Sequence, residues 1–526
     1  MQLQAIGDAL GMLTPDVLIA LFVGVILCQI VVAVPGLGGP FVLVMVLPFA
    51  LTMDPISAIA ILIGAAVVSG TGNTVTSVLF GVPGSSMGIA SIFDGYPMAK
   101  RGEATRALAA GFTASGVGGI FGAIVLALLI PVMRPVVLLF GPPEFFMLVL
   151  TAIVFIAMIG SSDPIKALLA GGVGLMLAMV GQEPTTAALR FTFGQLYLWD
   201  GVELVPFLIG LFAIAEMLRL TIDRGTISRS GSVHAKGQTK QGILDVFRHW
   251  TATLQSSVVG VLVGIVPGLG GEAAQFLAYS QVSRTSKNRK EFGNGAVEGV
   301  IAADAATNSK EGGSLVPTLL LGIPGSSGMA ILLLMLIAVG VQPGRNLLEE
   351  NLEILWLMVI ILVIASVLAS LFCLSAVRLL AKATTVPAAT IIAPVFVVSF
   401  FGAYATNYSF GDIVVLLVSG IVGFFMVRYG YSRTTLVIGY VLGGLAETNF
   451  LLARRIFGWT FLTRPIVLGL MAILALTVLV PAAKALNHRI RSHRGRAGAL
   501  SGDEETATPV RTGGATDGST DEEAGT

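Results

Sequence analysis

Ten runs of mostly apolar residues lie near 17–34, 107–130, 143–160, 164–181, 202–220, 352–380, 387–403, 412–428, 434–452 and 465–486. Each is long enough to cross a bilayer, whose hydrocarbon core takes about 17–25 helical residues. In hydrocarbon every backbone N–H and C=O must be bonded within the protein, so these runs read as helices. Shorter apolar stretches at 40–51, 56–69, 252–266 and 328–341 are too short or too broken by Gly and Pro to be simple spans. They read as re-entrant or discontinuous segments. The expected fold is an all-α polytopic membrane protein with about 10–12 spans. Composition agrees: 55% of residues are hydrophobic and 12% charged, against roughly 25% charged in soluble domains. A net charge of +1 gives no basis for nucleic-acid binding. Residues 1–16 carry no Lys or Arg, so no secretory signal is expected. Cys28 and Cys373 sit inside apolar runs, without metal-like or redox-like spacing.

The apolar pattern is interrupted twice by the same words. Val34-Pro-Gly-Leu-Gly-Gly39 recurs as Val266-Pro-Gly-Leu-Gly-Gly271, and Gly81-Val-Pro-Gly-Ser-Ser86 recurs as Gly322-Ile-Pro-Gly-Ser-Ser327. Further on, Asp163, Gly171, Gly174, Gly181, Thr185, Thr186 and Gly194 match Asp412, Gly420, Gly423, Gly430, Thr434, Thr435 and Gly443. The matches keep their order, as a duplicated unit would. The expected organisation is a first transmembrane repeat (1–218), a basic linker (219–250), a second repeat (251–486) and a disordered tail (487–526). Inverted repeats are the expectation. The linker carries Arg219, Arg224, Arg229, Lys236, Lys240 and Arg248 against Asp223 and Asp245. It is expected to be cytoplasmic, with Lys100–Arg106 and Arg284–Lys290, in a multi-pass protein of the inner (cytoplasmic) membrane.

Proline removes a backbone donor and glycine frees the backbone, so each break should stop a helix, and a following serine can cap the next. Between the breaks lie two polar, small-residue segments, Ser69–Ser77 and Asn308–Ser314. They are expected to offer free N–H groups to a carboxylate and free oxygens to a cation. Candidate substrate- and ion-binding residues are Gly36, Gly38, Gly39, Ser69, Asn73, Thr74, Ser77, Pro83, Gly84, Ser85 and Ser86 in the first half. In the second they are Gly268, Gly270, Gly271, Asn308, Ser309, Lys310, Gly313, Ser314, Pro324, Gly325, Ser326 and Ser327. Lys310 reads as a counter-charge for a substrate carboxylate, as the ion-pair partner of Glu311, or as a lysine at a wet segment end. Asp304 reads as structural or ion-linked, and Glu272 as a weaker candidate for cation coupling. Asp163 and Asp412 read as helix N-caps. The histidines, His234, His249, His488 and His493, read as solvated. No Walker-type or HExxH motif is present, so neither ATP hydrolysis nor zinc catalysis is expected. No cofactor or firm metal site is expected beyond a coupling Na⁺ or H⁺.

Pro35-Gly-Leu-Gly-Gly39, Val82-Pro-Gly84, Asp94-Gly-Tyr-Pro-Met-Ala-Lys-Arg-Gly102, Pro267-Gly-Leu-Gly-Gly271, Glu298–Ser309 with Gly312-Gly313, Ile323-Pro-Gly325 and Gln342-Pro-Gly344 are carried together. In these the chain resembles the large permease subunit of the tripartite tricarboxylate transporter family, over roughly residues 15–485. The resemblance implies an ion-gradient-driven, elevator-like transporter of organic carboxylates. It also implies an extracytoplasmic binding protein that delivers substrate, and a small membrane subunit as partner. Gly81 and Ser85 stand where many members carry Asn and Glu, which leaves smaller or aromatic carboxylates as open as citrate-like ones. A gradient-uncoupled organic-anion channel is the alternative, with the breaks as a static filter.

Overall fold

The computed structural model describes residues 2–479 except 35–36, 83–84, 160–162, 184–185, 224–237, 268, 378–379 and 381–387. Gly36, Pro83, Gly84 and Gly268, residues 224–237 of the linker with His234, and the tail therefore lie outside the described residues. So do the side chains of Ser86, Glu272 and Ser327. Residues 1–474 form one compact unit and 475–526 a second. The packing and the cavities described below belong to the first.

Among the described residues, seven helices are long and apolar enough to cross a membrane: 15–32, 55–80, 104–138, 204–222, 352–375, 410–428 and 433–463. Shorter apolar helices accompany them, at 39–50, 142–158, 164–178, 250–265, 328–338, 392–407 and 465–479. The chain is an all-α polytopic membrane protein. Strand is confined, among the described residues, to Gly181–Gln182 paired antiparallel with Leu189–Arg190.

Local chemistry sets many of the boundaries. Thr14, Asp54 and Asp163 each cap a helix whose first residue is proline, the position where a missing N–H costs nothing. Asp412 differs from its expected role: Ser409 caps that helix, and Asp412, in its first turn, accepts the Tyr197 hydroxyl at 2.7 Å. Both Pro-Gly-Ser-Ser breaks have one construction. The preceding helix ends on a left-handed glycine, Gly81 (φ 64°) or Gly322 (φ 70°). Then Ser85 accepts the N–H of Met87, and Ser326 that of Met329, to start the next helical turn.

The polar segments between the breaks depart from expectation. Ser69–Phe80 (α1) is helical and continues Pro55–Val67 with a kink at Val68. Asn308–Ser314 lies within the 25-residue helix Val297–Leu321 (α2). Gly, Ser, Thr and Asn are poor helix formers in water. Here the segments are buried in an apolar protein, where an internally bonded backbone is the stable choice. The same small residues let neighbours approach. A Cβ on Gly118 would stand 2.2 Å from the Ala305 carbonyl oxygen, and one on Gly264 2.3 Å from that of Lys310. So α2 is clasped between Ala104–Leu138 and Trp250–Ile265, each presenting a Gly-x-x-x-Gly face, the pattern that permits close contact in lipid.

Candidate functional site

The polar faces of α1 and α2 cross, one from each half of the sequence. Thr74 Oγ1 donates to Asp304 Oδ1 at 2.8 Å, and Asn308 Nδ2 donates to Thr71 Oγ1 at 2.7 Å. Gln275 stitches in a third element: its Nε2 donates to Thr307 Oγ1 at 2.7 Å and to the Met87 carbonyl. All these side chains are buried, and satisfied bonds are what make such a polar belt tolerable. Asn73 Nδ2 donates to the Ser69 carbonyl, while Asn73 Oδ1 and Asn308 Oδ1 have no hydrogen-bond partner among the described residues. No cationic side chain pairs with Asp304 among the described residues.

Beside this belt lies a cavity of about 180 Å³. Its wall is made largely of helix beginnings. Gly39 and Pro40 start Gly39–Ala50. Gly270 and Gly271 start Gly270–Thr285. Ser326, Gly328 and Met329 start Ser327–Ala338. Ser432, Thr434 and Thr435 start Arg433–Phe457. Ser69 adds the kink of the 55–80 helix. The first N–H groups of a helix lack intrahelical acceptors and carry the positive end of its dipole, so four such ends around one cavity favour an anion. Lys310 and Glu311 complete the wall. Lys310 Nζ stands 3.1 Å from Glu311 Oε1, and both side chains are buried.

A second cavity of about 320 Å³ shares Pro40, Ser432 and Thr434 with the first, and adds Gly38, Ser85, Phe212, Glu216, Arg219 and Arg433. The two PGLGG copies and the two PGSS copies thus converge on adjoining cavities.

Of the candidate residues, Gly39, Ser69, Gly270, Gly271, Lys310 and Ser326 line the first cavity, and Gly38 and Ser85 the second. Asn73, Thr74, Ser77, Asn308, Ser309, Gly313, Ser314, Pro324 and Gly325 line neither. They are buried in the packing behind the wall. Ser77 Oγ, for example, donates to the Gly88 carbonyl at 2.7 Å, and a Cβ on Gly313 would meet the Val261 carbonyl. Sequence reasoning missed Ser432, Arg433 and Thr434. The match of Thr434-Thr435 to Thr185-Thr186 in the third repeated block was the signal that could have found them. His249 also corrects its reading: its Nδ1 lies 2.7 Å from Glu298 Oε1, and its side chain is only 22% exposed.

The family model described as "Tripartite tricarboxylate transporter TctA family" matches residues 18–438. The chain belongs to that family. This TctA-family chain is therefore of the kind that forms the large subunit of a tripartite tricarboxylate transporter, in a family of transporters. It is 30% identical over 495 residues to an uncharacterised 52.8 kDa protein in the TAR-I ttuC′ 3′ region of Agrobacterium vitis, covering 92% of this chain and 95% of that one. An uncharacterised protein in the TAR-II ttuC′ 3′ region of the same organism is 30% identical over 237 residues, 44% of this chain and 98% of that one. No solved structure matches.

Proposed function

We propose that this TctA-family protein imports an organic carboxylate across the cytoplasmic membrane, driven by a Na⁺ or H⁺ gradient. It receives substrate from an extracytoplasmic binding protein and works with a small membrane subunit. The observation that carries the substrate class is the ring of four helix N-termini with Lys310 around one cavity. A carboxylate there accepts from free N–H groups and from the hydroxyls of Ser326 and Thr434. Lys310 supplies its remaining donors to the substrate while Glu311 balances its charge. The coupling cation belongs to the polar belt next door, where Asp304 bridges the two halves through Thr74. Sidedness follows from the basic segments. Arg101 donates to the carbonyls of Asn294 and Gly295, and Arg106 Nε to Asp245 Oδ2 at 2.6 Å. These contacts tie Lys100–Arg106, the loop beyond Arg284–Lys290 and the linker's end to one face, which the positive-inside rule assigns to the cytoplasm.

The test is uptake into proteoliposomes holding this protein and its small partner, with ligand-loaded binding protein outside and a Na⁺ or proton gradient imposed in turn. Accumulation above equilibrium that needs the binding protein and one gradient is expected. Flux that only equilibrates under either gradient would favour the channel.

A further inference from the structure

Charge is unevenly divided between the two adjoining cavities. Among the described residues that line the smaller, Lys310 and Glu311 cancel. Among those that line the larger, two guanidiniums, Arg219 and Arg433, face one carboxylate, Glu216. Arg219 Nη2 stands 2.7 Å from Glu216 Oε1, an ion pair by distance, and its own Nε is buried without a hydrogen-bond partner among the described residues. Arg433 holds Glu216 loosely. Its Nη2 stands 3.9 Å from Glu216 Oε2, too far for a hydrogen bond. The guanidinium is nevertheless fixed in place. Nη1 donates to the Leu211 carbonyl at 3.2 Å, and its carbon lies 5.1 Å from the centre of the Phe212 ring, a cation–π arrangement. Arg433 also stands between Ser432 and Thr434, two of the residues that line both cavities.

We propose that Arg433 is a carboxylate-binding residue of the transport path, which hands an organic anion between the larger cavity and the helix N-termini of the smaller. This rests on the organic-carboxylate reading above. A pre-oriented guanidinium with spare donors and a net positive surround is what a carboxylate needs for a two-point contact. Glu216 is the internal competitor, and its carboxylate holds Arg433 only until a substrate carboxylate arrives.

The two partners should therefore respond oppositely. The full chain, purified in detergent with its small membrane partner, is titrated with succinate, citrate and benzoate, binding being read from ligand-induced thermal stabilisation. Arg433→Gln should weaken the Kd of the carboxylate that binds by about tenfold or more, as expected for losing a charged hydrogen-bond pair. Arg433→Lys should recover part of that loss, and Glu216→Gln should tighten binding. An Arg433 that merely ties helices together would lower the unliganded melting temperature in both Arg433→Gln and Glu216→Gln and leave Kd unchanged, which overturns the proposal. Wild-type protein that binds none of the three carboxylates would overturn the organic-carboxylate reading itself, and this inference with it.

Discussion

Lys310 is the residue on which the site is most exposed to test. It is buried with Glu311 at 3.1 Å, and removing one member of a buried ion pair strands the other at a cost of about 3–5 kcal/mol. Lys310→Met alone should therefore lower thermal stability in detergent by that order. Adding Glu311→Leu should restore stability, because an apolar pair of similar volume is tolerated, but not uptake. A double variant that transports like wild type would remove Lys310 from the substrate site. A lysine in a polar segment between two helix breaks of a membrane chain is conspicuous in a sequence, so Lys310 was legible. Arg433 was not. It follows the Tyr-Gly-Tyr-Ser turn at 429–432, where an arginine reads as a membrane-interface residue, and only the fold brings Phe212 and Glu216 to it.

At the scale of elements, the two breaks share a backbone but differ in surroundings. An added Cβ on Gly322 would make ordinary van der Waals contact, 3.6 Å from the Pro343 carbonyl oxygen, whereas a Cβ on Gly81 would stand 2.8 Å from the Tyr96 ring. Gly322→Ala should cost about 1–2 kcal/mol, the left-handed penalty alone. Gly81→Ala should cost more, and the difference is measured as melting temperatures of the two variants in one detergent. Equal losses would contradict the contact with Tyr96. The breaks were legible because Pro and Gly act locally. The helicity of Ser69–Ser77 and Asn308–Ser314 was not, because it depends on remote partners. Propensity favours a loop at Ser-Gly-Thr-Gly, whereas in the fold Thr307 and Asn308, from the other half of the chain, pack against Gly70.

At the scale of the molecule, the recurring sequence words were legible, but which copies meet was not. The halves are joined by Thr74 to Asp304 and by Asn308 to Thr71, so a cation at Asp304 would be felt by both helices that back the cavity. Asp304→Asn keeps the hydrogen bond to Thr74 and removes the charge. It should leave carboxylate binding and exchange intact while abolishing accumulation against a gradient, measured by comparing counterflow with net uptake. Accumulation at the wild-type level would remove Asp304 from coupling. The central claim is that the carboxylate sits where the helix N-termini converge, and its most direct measurement uses Thr434→Cys. Thr434 lines both cavities and is half-buried, while Cys28 and Cys373 are fully buried, so the new thiol is the reactive one among them. A carboxylate substrate should slow methanethiosulfonate labelling of Thr434→Cys and leave a control cysteine at exposed Asn288 unaffected. Labelling of Thr434→Cys at the same rate with and without saturating substrate would contradict the account.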